Sequence, residues 1–207
     1  MTAFSTVSPQ SPLTEFDRPS AAPGVSGRAE VWIQEQPFRT HINLRGDAAD
    51  PAFLNRVRDV LGLSLPLEAN TIAELGGSRL CWLGPDEWLV INPADDTATE
   101  RLRDALAGLH HSVVDVSGGQ TIIRIGGPAW RDVLASACPF DLHPRVFGPG
   151  ACAQTVFAHA NVLLVPTRID TRTDAVDIIV RRSFADHLAR WLIDAAGECG
   201  YEFLSAG

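Results

Sequence analysis

The sequence predicts an α+β fold built from two pseudo-repeated β-α-β-β-α lobes with antiparallel sheets. Three observations carry that expectation. Alternating apolar and polar residues mark strands, while apolar residues three and four apart mark helices. The two kinds of segment follow one another in the same order in both halves of the chain. The tetrapeptide RDVL recurs within the first helix of each half, as Arg58–Leu61 and Arg131–Leu134. An internal duplication accounts for all three.

Residues 1–28 are rich in Pro, Ser, Ala and Gly without periodicity, and read as a flexible or extended N-terminal arm that an assembly can lay across a neighbour. The first lobe spans 29–112. It opens with VWIQE and RTHINLRG, where Thr40, Ile42 and Leu44 alternate with His41, Asn43 and Arg45 as in a strand. Asp50 followed by Pro51 is a helix start, and Ala52, Leu54, Val57, Val60 and Leu61 keep helical spacing up to Gly62. A strand pair surrounds CWLGPDEWLV (81–90). Asp95, Asp96 and Thr97 then introduce the helix ATERLRDALAGL.

The second lobe, 113–207, repeats this grammar and packs with the first as one compact unit. VVDVS (113–117) and TIIRIGG (121–127) read as strands, and AWRDVLASA as a helix. ACAQTVFAHANVLLVP (151–166) reads as a hairpin, and AVDIIV (175–180) as a strand with Val176, Ile178 and Val180 on one face. Ser183 with Asp186 matches a capping box for a closing helix. Its apolar stripe is Phe184, Leu188, Trp191, Leu192 and Ala195, and Gly197 ends it.

Composition excludes several function classes. With 45% hydrophobic and 20% charged residues the chain is ordinary for a soluble globular protein. A net charge of −8 argues against nucleic acid and anionic membranes as partners. No apolar run approaches a membrane span, and MTAFSTVSPQSPLTEF lacks the regions of a signal peptide, so a cytoplasmic location is expected. All seventeen basic residues are arginine. Without lysine there is no Schiff-base chemistry and no P-loop lysine. Cys81, Cys138, Cys152 and Cys199 are scattered and read as small apolar residues rather than metal ligands.

The candidate chemistry is sparse. Asp86 and Glu87, adjacent acids between Trp82 and Trp88, suit either an acid–base pair or the solvated tip of a hairpin whose tryptophans anchor a core or a partner. Gly-Pro-Asp-Glu is turn vocabulary, and that favours the hairpin. SGGQ (117–120) and IGGPAW (125–130) match neither G-x-G-x-x-G nor the P-loop. IGGPAW serves as a tight strand-to-helix turn or, less commonly, presents helix N–H groups to an anion. His110 and His111 close a helix, while His41, His143, His159 and His187 lack ligand spacing. No nucleophile elbow is present.

VVDVSGGQTIIRIGGPAWRDVLASACPFDLHPRVFGPGACAQT (113–155), LGPDEWLV (83–90) and IIVRRSFADHLARWLIDAAG (178–197) closely resemble the gamma subunit of heterotetrameric sarcosine oxidase. CPFDLHPR followed by F-x-PGACAQT is the most distinctive run. The resemblance is good over about 80–207 and loose before it. More distantly, DVSGGQTIIRIGGPAWRDVL and DEWLVINPADDTATERL are similar to the folate-dependent aminomethyltransferase of glycine cleavage. The resemblance implies a folate-binding (aminomethyltransferase-like) domain fold. It departs at CAQTVFAHANVLLVP (152–166), which has no acid where the folate-directed carboxylate of that family lies.

The resemblance further implies a non-catalytic, structural subunit of a complex that oxidatively demethylates sarcosine to glycine. Hydrogen peroxide and methylene-tetrahydrofolate are the other products. FAD, FMN, NAD, tetrahydrofolate and zinc would be held by other subunits, and the partners would be the alpha (large), beta and delta chains, mainly alpha. No catalytic, cofactor-binding or metal residue is then expected in this chain. The alternatives are a stand-alone aminomethyltransferase-like enzyme, with Arg124 or Arg168 clamping a folate carboxylate, and an accessory subunit of a related N-methyl amino acid oxidase or dehydrogenase.

Overall fold

The computed structural model describes residues 8–16, 19–92, 97–168 and 174–206, without the side chains of Asn92 and Arg168. The expected helix start at Asp95 and Asp96 lies outside the described residues. Strands β1 (Ser20–Pro23), β2 (Val31–Gln36) and β3 (Thr40–Gly46) lead to helix α1 (Pro51–Leu61). Strands β4 (Ile72–Leu75), β5 (Ser78–Gly84) and β6 (Glu87–Asn92) follow, then α2 (Ala98–Ala105) and β7 (His111–Asp115). The remainder runs β8 (Gln120–Gly126), α3 (Trp130–Ala135), β9 (Ala153–Phe157), β10 (Ala160–Arg168), β11 (Asp174–Arg181), α4 (Ala185–Ala195) and β12 (Gly200–Leu204). Among the described residues no helix is long and apolar enough to cross a membrane.

The described strands form two sheets, ordered β4-β5-β6-β3-β7 and β9-β10-β11-β8-β2-β12-β1. Every pairing is antiparallel except β12 with β2. The duplication is therefore visible in the topology. Taken in order, β3-α1-β4-β5-β6-α2-β7 matches β8-α3-β9-β10-β11-α4-β12, and β2 is wedged into the second copy between β8 and β12. The two RDVL segments fall in the equivalent helices α1 and α3.

Three apolar layers hold this arrangement. Helices α1 and α2 bury Phe53, Val57 and Leu102 against Ile42, Trp88 and Val90 of the five-stranded sheet. Helices α3 and α4 bury Trp130, Leu188 and Leu192 against Ile123, Ile178 and Leu164 of the seven-stranded sheet. The two sheets meet face to face through Cys81, Leu89 and Ile91 on one side and Ile122, Leu163, Val165 and Ile179 on the other. Each fully buried side chain of this size contributes about 1.5–3 kcal/mol.

Local chemistry explains several boundaries. Asp50 Oδ1 accepts the Ala52 N–H at 2.8 Å, Pro51 takes the first turn, and Gly62 ends α1 at φ 70°, a left-handed angle that glycine adopts at little cost. Other expectations need correction. Three strands, not two, separate α1 from α2, because Gly76-Gly77 turns the short β4 onto β5. Ser183 makes no capping box. It sits in a 3₁₀ turn (Arg182–Phe184) that leads into α4, and Asp186 pairs with Arg190 instead. Phe184, counted in the apolar stripe, is 42% exposed. The division at 112/113 is crossed twice, since β2 lies in the seven-stranded sheet and β7 in the five-stranded one. A strand's own pattern says which faces are buried, but not which neighbour completes it.

Much of the described arm rests on the body of the protein. Residues of β1 pair with β12, Leu13 is buried, and Phe16 stacks on Phe203 at 5.2 Å between ring centroids. The Ser11 hydroxyl donates to the Glu35 carboxylate, and Arg190 reaches both Glu15 and the face of Phe16.

Candidate functional site

CWLGPDEWLV forms the β5–β6 hairpin, with Trp82 opposite Trp88 and Gly84 opposite Glu87. Pro85 and Asp86 are exposed at its tip. Asp86 is held by Arg45 at 2.8 Å, with both side chains at least half exposed. Glu87 accepts from Asn43 Nδ2 at 2.7 Å. Both acids are spent on surface contacts at a turn, as befits the tip of a hairpin. Trp88 is fully buried on the helix side, its Nε1 donating to the Pro66 carbonyl at 2.8 Å, and Trp82 packs on the same core. The tryptophans are core anchors.

The glycine stretches serve packing. A Cβ on Gly126 would stand 2.3 Å from the Trp32 ring, and one on Gly127 would stand 2.4 Å from the Glu30 carbonyl. These glycines let β2 lie close against β8. The helix after them, α3, has only six residues. In SGGQ, the Asp115 carboxylate accepts both the N–H and the hydroxyl of Ser117, at 2.8 and 2.5 Å. Those two bonds hold the carboxyl of Asp115 below the usual range.

Three of the histidines, and the cysteines, are also absorbed locally. His111 does not close a helix but opens β7, with Nδ1 2.9 Å from the Leu109 carbonyl. His187 Nε2 lies 2.9 Å from the Ala158 carbonyl, and His143 Nδ1 accepts the Arg145 N–H at 3.2 Å. Cys81, Cys138 and Cys152 are buried free thiols and Cys199 is half-buried. Burial pushes the Cys152 thiol up to about 11 and Cys81 further still, so neither is an ionised nucleophile near neutrality. Among the described residues no group of three His, Cys, Asp or Glu stands close enough to hold a metal ion.

The polar centre of the molecule lies elsewhere, between the sheets. Asp177 of β11 is wholly buried. It takes a two-point contact from Arg124 of β8 at 2.6 and 3.0 Å, and a second arginine, Arg79 of β5, at 2.6 Å. Arg124 is thus engaged by Asp177 rather than free to clamp a ligand, and the Arg168 side chain lies outside the described residues. Beside this group His41 of β3 is 1% exposed, and neither ring nitrogen has a hydrogen-bond partner among the described residues. Burial pushes its pKa down from 6.5 to about 4, the Gln120 side chain opposing and Arg79 assisting. Glu35, also buried, accepts from Thr121 at 2.7 Å and from Ser11.

Of these, the sequence singled out only Arg124 and His41, and neither as part of a buried ion group. The available signals were one acid inside the apolar run AVDIIV and one histidine inside THINL, and nothing local pointed to their partners. At one end of the sheet interface a cavity of about 660 Å³ opens, lined by Leu83, Leu89, Leu163 and Ile179 with Gln120 and Arg181 at its polar side. In the acid-free segment 152–166, Gln154 Nε2 donates to the Leu83 carbonyl at 2.7 Å and so ties the two sheets.

The model of the sarcosine oxidase, gamma subunit family matches residues 45–198. The sarcosine oxidase subunit gamma of Corynebacterium sp. (strain P-1) is 34% identical over 173 residues, covering 83% of each chain. That of Corynebacterium sp. (strain U-96) is 32% identical over 190 residues, covering 91% of this chain and 90% of the relative. Among solved structures, the heterotetrameric sarcosine oxidase from Corynebacterium sp. U-96, in complex with pyrrole 2-carboxylate, superposes with a TM-score of 0.75 at 32% identity, over 82% of this chain and 85% of that one. The glycine cleavage system aminomethyltransferase T from Bartonella henselae shares the fold, with a TM-score of 0.63 at 17% identity, over 86% of this chain and 48% of that one.

Proposed function

Because this chain belongs to the sarcosine oxidase, gamma subunit family, we propose that it serves as the non-catalytic, structural subunit of a heterotetrameric sarcosine oxidase. In this reading the complex oxidatively demethylates sarcosine to glycine, with hydrogen peroxide and methylene-tetrahydrofolate as the other products. The FAD, FMN, NAD, tetrahydrofolate and zinc sites belong to its other subunits, and this chain packs mainly against the large alpha subunit, with the beta and delta subunits completing the tetramer. The observation that carries the proposal is likeness over nearly the full length of a relative named as a gamma subunit, 91% of this chain and 90% of the relative.

The interior supports it. A catalytic acid or base needs a titratable group left available in a pocket. Here Asp177 is committed to two arginines and Glu35 to two hydroxyls. Co-expression with the other three subunits tests the reading. The tagged chain should carry them, with flavin absorbance, through affinity purification, whereas the chain expressed alone should be colourless and inactive. Flavin absorbance copurifying with the isolated chain would refute the proposal. A stand-alone aminomethyltransferase-like enzyme would instead release heat on calorimetric titration of the isolated chain with tetrahydrofolate; a structural subunit gives none.

A further inference from the structure

Three guanidinium groups gather at a small cavity between the sheets. Its volume is about 220 Å³, and Arg39, Arg79 and Arg124 line it over an apolar floor of Ile91 and Ile122. Pockets for drug-sized ligands run to roughly 300–1,000 Å³, so this one suits a small ion. Two of the arginines share a single carboxylate, Asp177, which is 0% exposed. Among the described residues the buried group therefore carries one positive charge more than negative, with the Arg79 side chain only 9% exposed and that of Arg124 22%. An uncompensated charge in such a place is costly, and structures supply a counter-charge to it.

The guanidinium donors at this cavity are unevenly spent. Arg79 spends Nη2 on Asp177, while its Nη1 is buried with no partner among the described residues. Arg39 is half-buried and donates one Nη2 bond to Gln36 Oε1 at 3.0 Å. Glu74 also lines the cavity and is the cross-strand neighbour of Arg79, but it is exposed and makes no ion pair with it. A small oxyanion would supply what is missing, one negative charge and several acceptor oxygens for planar guanidinium donors.

We propose that this inter-sheet cavity is an anion site, in which Arg79 and Arg39 bind a small oxyanion of phosphate or short-carboxylate size and Asp177 holds Arg79 and Arg124 in place. Arg39 is the site's adjustable member, because it lies outside the buried ion group.

The test is a titration of the full chain with inorganic phosphate, at fixed ionic strength in phosphate- and sulfate-free buffer, followed through the arginine side-chain NMR signals. The Arg79 signals should shift and saturate while those of Arg190, exposed and already paired with Asp186, stay put. Arg39→Gln should weaken binding about tenfold or more, and Arg39→Lys should keep it within a few-fold. Absence of an Arg79 shift, parallel and unsaturated shifts at Arg79 and Arg190, or unchanged affinity in Arg39→Gln would each overturn the proposal.

Discussion

Acidification below about pH 6.5 should destabilise this protein, and His41 is the reason. Its ring sits between the sheets, 1% exposed, with both nitrogens unpartnered among the described residues. In the unfolded chain it titrates near 6.5, and in the folded protein burial holds it to about 4. Between those values the unfolded state binds more protons than the folded one, so stability falls as pH drops through that interval. At 1.36 kcal/mol per pH unit the full loss is about 3 kcal/mol, most of it present by pH 4.5. For a domain of this size that corresponds to a fall in melting temperature of roughly 6–12 °C. Urea midpoints of the full chain at pH 7.5, 6, 5 and 4.5, set beside those of His41→Leu, isolate the effect. The leucine variant should lose far less stability over that range. Carboxylates held low, such as Asp115, lose their contribution at lower pH and affect both proteins alike. Parallel pH curves for the two would refute the reasoning.

Removing one member of the buried ion group should be severe. Asp177→Asn leaves two guanidinium groups without their carboxylate and should cost about 3–5 kcal/mol in denaturant unfolding, and a loss under 1 kcal/mol would show the cluster to be solvated. The hairpin tip should tolerate change. Asp86→Ala combined with Glu87→Ala should leave turnover of the assembled complex within a few-fold and shift stability by no more than about 1 kcal/mol, as expected for exposed pairs. A fall of several orders of magnitude with assembly intact would make these residues catalytic after all.

How far the sequence could be read follows from the range of each signal. The Asp50-Pro51 start, the Gly62 stop and the tip of CWLGPDEWLV depend on residues a few positions apart, and the structure places each as expected. The duplicated order was legible for the same reason. Membership of a sheet was not, because β2 carries the burial pattern of any half-buried strand while its neighbours, β8 and β12, come from the far half of the chain. Ser183 satisfied a four-residue pattern, yet the backbone solved the helix start with a 3₁₀ turn. The inter-sheet ion group was the least legible feature. Arg79, Arg124 and Asp177 come from three strands in two sheets, and only the packing of those sheets makes them neighbours.

The place of β2 also sets an order of events during synthesis. All strands of the five-stranded sheet lie between residues 40 and 115, so that half can close while the ribosome is still translating. The other sheet cannot, since Val31 faces Tyr201 and Ser20 faces Phe203. At 5–20 residues per second the earliest strands wait roughly 10–40 s for their last neighbour. Until β8 emerges the apolar face of VWIQEQ is bare, and a nascent chain is most prone then to chaperone capture or to pairing with a sister chain. Ribosome-bound chains arrested at residue 150 should accordingly resist protease across 40–115 and be cut near β2. Protection of β2 at that length would mean that it finds a different neighbour first.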